Sequence, residues 1–210
     1  MCLYPRLIKN RKYIPNKKNK GNVPKVKDIR VLYVPVGCGK CMECTKQKAN
    51  EWRTRLLEEV RENWTGKFVT LSFNEKSLIK LGKEANEKEG YKADNEIAKI
   101  AIRYFLERWR KATGKSVRHW LVTELGGNGT ERIHIHGIIW TEETRLIHDK
   151  WQYGNVWIGQ WINEITVNYI VKYLHKTDEK HKHYNSKVFT SSGIGKGYTK
   201  RRDSNRNKGS

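Results

Sequence analysis

Acidic residues are scarce in this chain of 210 residues. Asp and Glu number 22 against 43 Lys and Arg, which gives a formal net charge of +21. Such an excess repels itself unless a polyanion shares the surface, so it favours a nucleic-acid partner over an enzyme for small acidic ligands. The chain also lacks any apolar run of about 18 residues, the length expected of a membrane span. The apolar core of a signal peptide is missing as well, so we expect no membrane partner.

Cysteine is rare and unevenly placed. The four cysteines are Cys2, Cys38, Cys41 and Cys44, and the last three form a Cys-x-x-Cys-x-x-Cys cluster. In a chain without signs of export, this crowding favours metal binding over disulfides. The three clustered thiolates, with Cys2 as a fourth ligand, predict a tetrahedral structural Zn²⁺ site. An iron–sulfur cluster or four unliganded thiols are the alternatives.

The hydrophobic pattern predicts an α+β fold. Strand-like runs cover 31–35, 67–73, 117–125, 132–140 and 154–162, and helical spacing covers 46–62, 97–113 and 164–176. Residues 81–95 are polar and predict a loop, with Asp94 or Asn95 capping the next helix. We divide the chain into a basic arm with the cysteine cluster (1–45), a central domain (46–176) and a basic, mostly irregular C-terminal segment (177–210). The closing Gly209-Ser210 is typical of a linker, which suggests a truncated chain.

A His-Ile-His sequence at 134–136 is the first motif that carries chemistry. Side chains two apart on a strand point the same way, so both imidazoles leave one face while Ile135 faces the core. If a hairpin pairs Glu124 with His134 or Arg132, its carboxylate joins that face, whereas a slip of one residue sends it to the other. Two histidines and one carboxylate leave open positions for phosphate oxygens, which suits Mg²⁺ or Mn²⁺. The alternative is a pair of surface histidines on an edge strand.

The second motif is the helical run YIVKYLHK at 169–176. At about 100° per residue, Tyr169, Lys172, Tyr173 and Lys176 share one face opposite an apolar stripe. A free phenol, with a pKa of about 10, is a poor nucleophile at neutral pH. Adjacent ammonium groups and a metal-polarised phosphate would activate it. By itself the pattern also fits an amphipathic helix with solvated lysines, and its near-symmetry gives no reason for one tyrosine to react first.

In combination, HIH followed by YIVKYLHK resembles the HUH endonucleases, which are named for a His-hydrophobic-His motif. The doubled Tyr-x-x-Lys is similar to that of microvirus replication initiators, and MCLYP, CGKCMEC, FVTLSF and SSGIGKGY resemble the gokushovirus branch, over residues 1–198. The resemblance implies a central antiparallel sheet with flanking helices, related to the RNA-recognition-motif topology, with 46–176 as the nuclease domain. The site residues it implies are the metal ligands His134, His136 and Glu124, the nucleophiles Tyr169 and Tyr173, and the lysines Lys172 and Lys176.

The resemblance therefore predicts a rolling-circle replication initiator. It would nick single-stranded DNA at a replication origin by metal-assisted tyrosine attack, keep a 5′-phosphotyrosine link and later rejoin the strands. It would be phage-encoded and act in the bacterial host cytoplasm with host replication proteins, because the chain has no helicase motif. The alternatives are an HUH transposase or relaxase, and a non-catalytic, zinc-containing single-stranded-DNA-binding protein. The loop SSGIGKGY lacks the spacing of a nucleotide-binding P-loop, and we expect it to touch the DNA backbone.

Overall fold

A computed structural model describes residues 2–86, 89–126, 131–175, 184–201 and 204. The chain divides into two compact units, residues 1–48 and residues 49–210. Every helix in the described part is too short or too polar to cross a lipid bilayer.

The first unit contains a small two-stranded sheet. Strand β1 (Arg6–Lys9) pairs antiparallel with β2 (Tyr33–Val36). Between them, the Asn19 side-chain oxygen accepts a 2.9 Å hydrogen bond from the Asn16 N–H, and the Asn16 side-chain amide donates at 2.8 Å to the Ile14 carbonyl. The prediction of an extended arm over 9–22 is wrong here, because these short amide side chains fold the backbone into turns.

The second unit has the predicted α+β architecture. Helix α1 (Met42–Glu62) leads into it from the cysteine cluster. The elements that follow are β3 (Gly66–Leu71), α2 (Glu75–Glu84), α3 (Gly90–Thr113), β4 (Arg118–Leu125), β5 (Ile133–Trp140), α4 (Thr144–Lys150), β6 (Val156–Gly159), α5 (Glu164–Val171) and β7 (Val188–Thr190). The five strands form one antiparallel sheet in the order β6-β3-β5-β4-β7.

Each face of the sheet carries its own hydrophobic core. On one face, Ile133 and Ile135 of β5 pack in a cluster with buried residues of α2, α3 and α4. On the other face, Ile138 and Trp140 pack in a cluster with residues of α1, from Ala49 onward, and of α5. The two-residue period of a strand therefore places His134 and His136 on the α5 side of the sheet.

The structure corrects the predicted loop at 81–95, most of which is helical. Asn74 caps α2 by accepting a 2.9 Å hydrogen bond from the Ser77 N–H, and Leu81 of α2 is buried. Asp94 and Asn95 lie inside α3 and do not cap it. The polar composition of these turns hid a narrow apolar stripe, and the short helix α4 was not predicted for the same reason.

The C-terminal segment is more ordered than predicted. Strand β7 adds an edge to the sheet, and Ile194 is buried against the α1 side. The Gly195 N–H donates a 2.9 Å hydrogen bond to Glu59, and a Cβ atom at Gly195, whose φ is +67°, would lie 2.5 Å from the Arg55 carbonyl oxygen. Glycine here serves close packing of SSGIGKGY on α1, and contact of this loop with DNA stays a prediction. The remainder of the predicted irregular segment, residues 177–183, 202–203 and 205–210, lies outside the described residues.

Candidate active site

The pairing of β4 with β5 decides where Glu124 points. Glu124 lies opposite His134, and Val122 lies opposite His136. Directly opposed residues of antiparallel strands project to the same face, so Glu124 joins both histidines. The Glu124 carboxylate accepts a 2.8 Å hydrogen bond from Nε2 of His136. Of the two registers that the sequence left open, the structure has the one that gathers these three side chains.

His136 is held on three sides. Thr70, its partner on β3, places Oγ1 3.0 Å from Nδ1 of the imidazole. With the proton on Nε2 for Glu124, Nδ1 accepts from the Thr70 hydroxyl. The ring of Tyr173 stacks on the imidazole at 4.7 Å between centroids and 17° between planes, and the Phe68 ring is nearly parallel to it at 6.3 Å. Sequence reasoning missed Thr70, although its place in the strand before the histidines was a usable signal.

The donor set fits a hard divalent cation such as Mg²⁺ or Mn²⁺. His134 is half-buried, and burial lowers its pKa, so its imidazole is neutral and can act as a ligand at neutral pH. The rings of His134 and His136 are 6.4 Å apart between centroids. Among the described residues, three or more potential ligand atoms lie within 4.8 Å of one another only in the cysteine cluster. The two histidines and Glu124 thus share a face but are less tightly gathered than the thiols.

The two tyrosines of the predicted helix have different surroundings. Helix α5 starts with a capping box between Asn163 and Thr166 and ends at Val171, after which residues 172–174 continue as a 3₁₀ turn. Tyr169 is 42% exposed, whereas Tyr173 is 4% exposed. Their hydroxyl oxygens are 2.5 Å apart. Burial, the hydrogen bond with Tyr169 and the negative charge of Glu124 together raise the pKa of Tyr173. The equivalence expected from the spacing is therefore absent.

Of the two predicted lysines, Lys172 lies beside the exposed tyrosine. Its Nζ atom is 3.9 Å from the ring centroid of Tyr169 and 5.7 Å from that of Tyr173. This is a cation–π contact, and it keeps a positive charge next to the Tyr169 ring. Lys176 lies outside the described residues.

The cysteine cluster of the first unit has the geometry of a metal site. The Sγ atoms of Cys2 and Cys41 are 3.8 Å apart, those of Cys38 and Cys44 are 4.0 Å apart, and all four lie within 4.8 Å of one another. A tetrahedral zinc with Zn–S bonds of about 2.3 Å needs sulfur–sulfur edges of about 3.8 Å. Backbone N–H groups, that of Leu3 foremost, lower the pKa of Cys41 to about 6, which favours the thiolate. The four cysteines can therefore hold a metal such as zinc.

Comparison with known proteins bears on the second unit. The model of a protein family described as replication-associated protein ORF2 matches residues 66–178, more than half of the chain. The matched stretch runs from β3 through α5 and contains both histidines, Glu124 and both tyrosines. No curated protein and no solved structure matches the chain.

Proposed function

The chain belongs to the replication-associated protein ORF2 family, and we propose that it is a rolling-circle replication initiator of the HUH-endonuclease type, similar to those of gokushoviruses. The observation that carries this proposal is the stacking of Tyr173 on His136, at 4.7 Å between ring centroids. Tyr169 is joined to the same pair through the 2.5 Å hydroxyl contact. The tyrosines and the histidines thus meet on one sheet face. A protein that only binds DNA has no need of that arrangement.

The proposed reaction is a transesterification at phosphorus of single-stranded origin DNA. The Tyr169 oxygen gives its proton to water and attacks the phosphorus, so that an O–P bond to tyrosine forms while the bond from phosphorus to the 3′ oxygen breaks. The 3′ oxygen takes up a proton and leaves as a free hydroxyl, and the 5′ phosphate stays on the protein. Holding the phosphate in line with the attacking oxygen supplies much of the acceleration.

Tyr169 is the first nucleophile in this proposal. It is the more exposed of the two phenols, and the Tyr173 hydroxyl donates a hydrogen bond to its oxygen. That bond strengthens as Tyr169 loses its proton, because hydrogen bonds to charged acceptors are the stronger ones. The ammonium of Lys172, close to the Tyr169 ring, offsets charge that builds on the phosphate. Tyr173 would attack in a later round, after the first tyrosine carries DNA.

His134, His136 and Glu124 are the residues that would hold Mg²⁺ or Mn²⁺, which supplies positive charge to polarise the scissile phosphate. Thr70 and Tyr173 keep the His136 imidazole in place. Rejoining reverses the nick: the 3′ hydroxyl attacks the phosphotyrosine and releases the tyrosine. The covalent link conserves the phosphodiester bond, so no ATP is needed. We place this reaction in the cytoplasm of a bacterial host, whose replication proteins would extend the 3′ hydroxyl.

The test is the formation of a covalent adduct. The substrate is a pool of single-stranded oligonucleotides of randomised sequence, labelled at the 3′ end because the fragment with the 5′ phosphate stays on the protein. With added Mn²⁺, the wild-type chain should carry label through a denaturing gel. Peptide mass spectrometry should place the DNA on Tyr169 or Tyr173, and sequencing of the bound DNA would give the preferred site.

Variants decide between the proposal and its alternatives. The double variant Tyr169→Phe/Tyr173→Phe should form no adduct yet still bind DNA, because phenylalanine removes only the nucleophilic oxygen. Tyr104→Phe, on α3, is the matched control and should label like the wild type. An adduct in the double variant would show that another residue is the nucleophile. Wild-type protein that binds single strands but never forms an adduct would favour the non-catalytic binding protein.

A further inference from the structure

An apolar cavity opens beside Tyr169, on the same side of the sheet as the histidines. Its volume is about 490 Å³, and eight residues of β3, β6, the segment before α5 and α5 itself line it. None of the eight is acidic. The aromatic cavity, as we name it, is formed chiefly by Phe68, Trp157, Gly159, Trp161, Ile165 and Tyr169.

The walls of the aromatic cavity expose large apolar side chains to solvent. Trp161 is 82% exposed, and Trp157 and Ile165 are exposed as well. The buried Phe68 ring forms the floor, in edge-to-face contact with Trp157 at 5.5 Å and with Tyr169 at 6.0 Å between centroids. Exposed apolar patches of this kind mark interaction sites, because burial within the chain would otherwise be favoured.

The glycine of β6 keeps the cavity open. A Cβ atom at Gly159 would lie 3.1 Å from the Trp157 ring and 3.5 Å from Cβ of Phe68. Any larger residue would press on the indole from within the strand. The absence of a side chain at Gly159 therefore leaves room for the Trp157 ring over the sheet, where a flat ligand can reach it.

We propose that the aromatic cavity binds an unpaired nucleobase next to the phosphate that Tyr169 attacks. Every base has an apolar π face that stacks on indole and phenol rings, whatever its sequence. The net charge of +21 draws a polyanion to the protein, and the absence of acidic residues from the cavity wall leaves nothing there to repel it. Tyr169 is both a wall of the cavity and the proposed nucleophile, so a base held there places its neighbouring phosphate near the reacting oxygen. The link to the reacting phosphate rests on the proposed function, whereas base binding itself requires no cleavage.

A binding measurement with a matched pair of tryptophan variants tests this. Fluorescence anisotropy of a labelled thymidine homopolymer, without added divalent cation, gives the dissociation constant. Trp161→Ala should weaken binding about 5- to 100-fold, the range for loss of one base-stacking partner. Trp64 is 80% exposed but does not line the cavity. Trp64→Ala should therefore stay within about twofold of the wild type, as expected of a neutral surface change.

An abasic oligonucleotide of the same length separates bases from backbone, since it keeps every phosphate. The wild type should bind it more weakly than the homopolymer, and Trp161→Ala should bind it as well as the wild type does. Equal weakening of both ligands by Trp161→Ala would overturn the proposal, because the cavity would then contact the backbone. So would a Trp161→Ala variant that binds the homopolymer as Trp64→Ala does. Failure of the proposed function looks different, namely base-dependent binding without any covalent adduct.

Discussion

The hydroxyl of Tyr173 donates a 2.5 Å hydrogen bond to the hydroxyl of Tyr169. This contact makes two residues that are equivalent by spacing unequal in chemistry. Tyr173 is enclosed, stacks on His136 and has a raised pKa, chiefly because of burial. Tyr169 faces solvent with Lys172 over its ring. One phenol is thus presented to DNA while the other supports it.

The first prediction concerns the order of the tyrosines. Tyr169→Phe should abolish the first adduct. Tyr173→Phe should retain it at a rate about 10- to 100-fold lower, because a hydrogen bond to a developing phenolate contributes about 1.5–3 kcal/mol. The measurement is the rate at which a 3′-labelled single strand becomes attached to each variant. The opposite result, adduct in Tyr169→Phe and none in Tyr173→Phe, would reverse the assignment.

The second prediction concerns the divalent cation. His134→Ala and His136→Ala should abolish nicking and leave single-strand binding largely intact. Thr70→Val keeps the shape of the side chain but removes the oxygen beside Nδ1 of His136, so half-maximal nicking should need about 10- to 100-fold more Mn²⁺. His148→Ala on α4 is the control and should have no effect. Nicking at full rate in excess EDTA would exclude this role for the histidines.

Much of the fold follows from periodicity that the sequence displays openly. The alternation in Ile133 to Trp140 fixes which side chains of β5 enter each core, and the helical stripe of α5 fixes Val167 and Ile170 as core residues. Both patterns are local, so they survive without knowledge of neighbours. For the same reason the histidines and tyrosines could be placed on their elements from the sequence alone.

What could not be predicted depends on contacts between distant segments. The position of Glu124 depends on the β4–β5 register, which a one-residue slip would have reversed. Thr70 reaches His136 only because β3 pairs with β5. The difference in exposure between Tyr169 and Tyr173 arises from how α5 and the 3₁₀ turn pack on the sheet. The tryptophans of the aromatic cavity become a surface feature only when β6 takes the edge next to β3.

The third prediction concerns the cysteines. Elemental analysis should find about one zinc per chain, and Cys41→Ser should lower that content because one of four thiolates is lost. Lys46→Ala, an exposed change on α1 close to the cluster, should leave the zinc content unchanged. Metal-free protein of unaltered stability would contradict a structural zinc site. Two disulfides found by mass spectrometry under non-reducing conditions would contradict it as well.

The last prediction concerns stability and its dependence on pH. Glu59 of α1 is buried, where its carboxylate accepts hydrogen bonds from Arg118 and from the Gly195 N–H. Burial alone would raise the pKa of Glu59, but these hydrogen bonds outweigh it and the pKa lies below its ordinary value. A carboxyl with a lowered folded-state pKa stabilises the fold above its unfolded pKa of about 4.3, and this contribution is lost as the pH falls through the folded value.

Glu59→Gln should therefore reduce the free energy of unfolding at pH 7 by about 3–5 kcal/mol, the usual cost of breaking a buried pair. The deficit should shrink below about pH 4, where the wild-type carboxyl also takes up a proton. Urea unfolding at neutral and acidic pH measures both effects. Glu107→Gln on α3 is an exposed control, expected to change stability by less than about 1 kcal/mol. A deficit that grows on acidification would mean that the charge of Glu59 does not stabilise this contact.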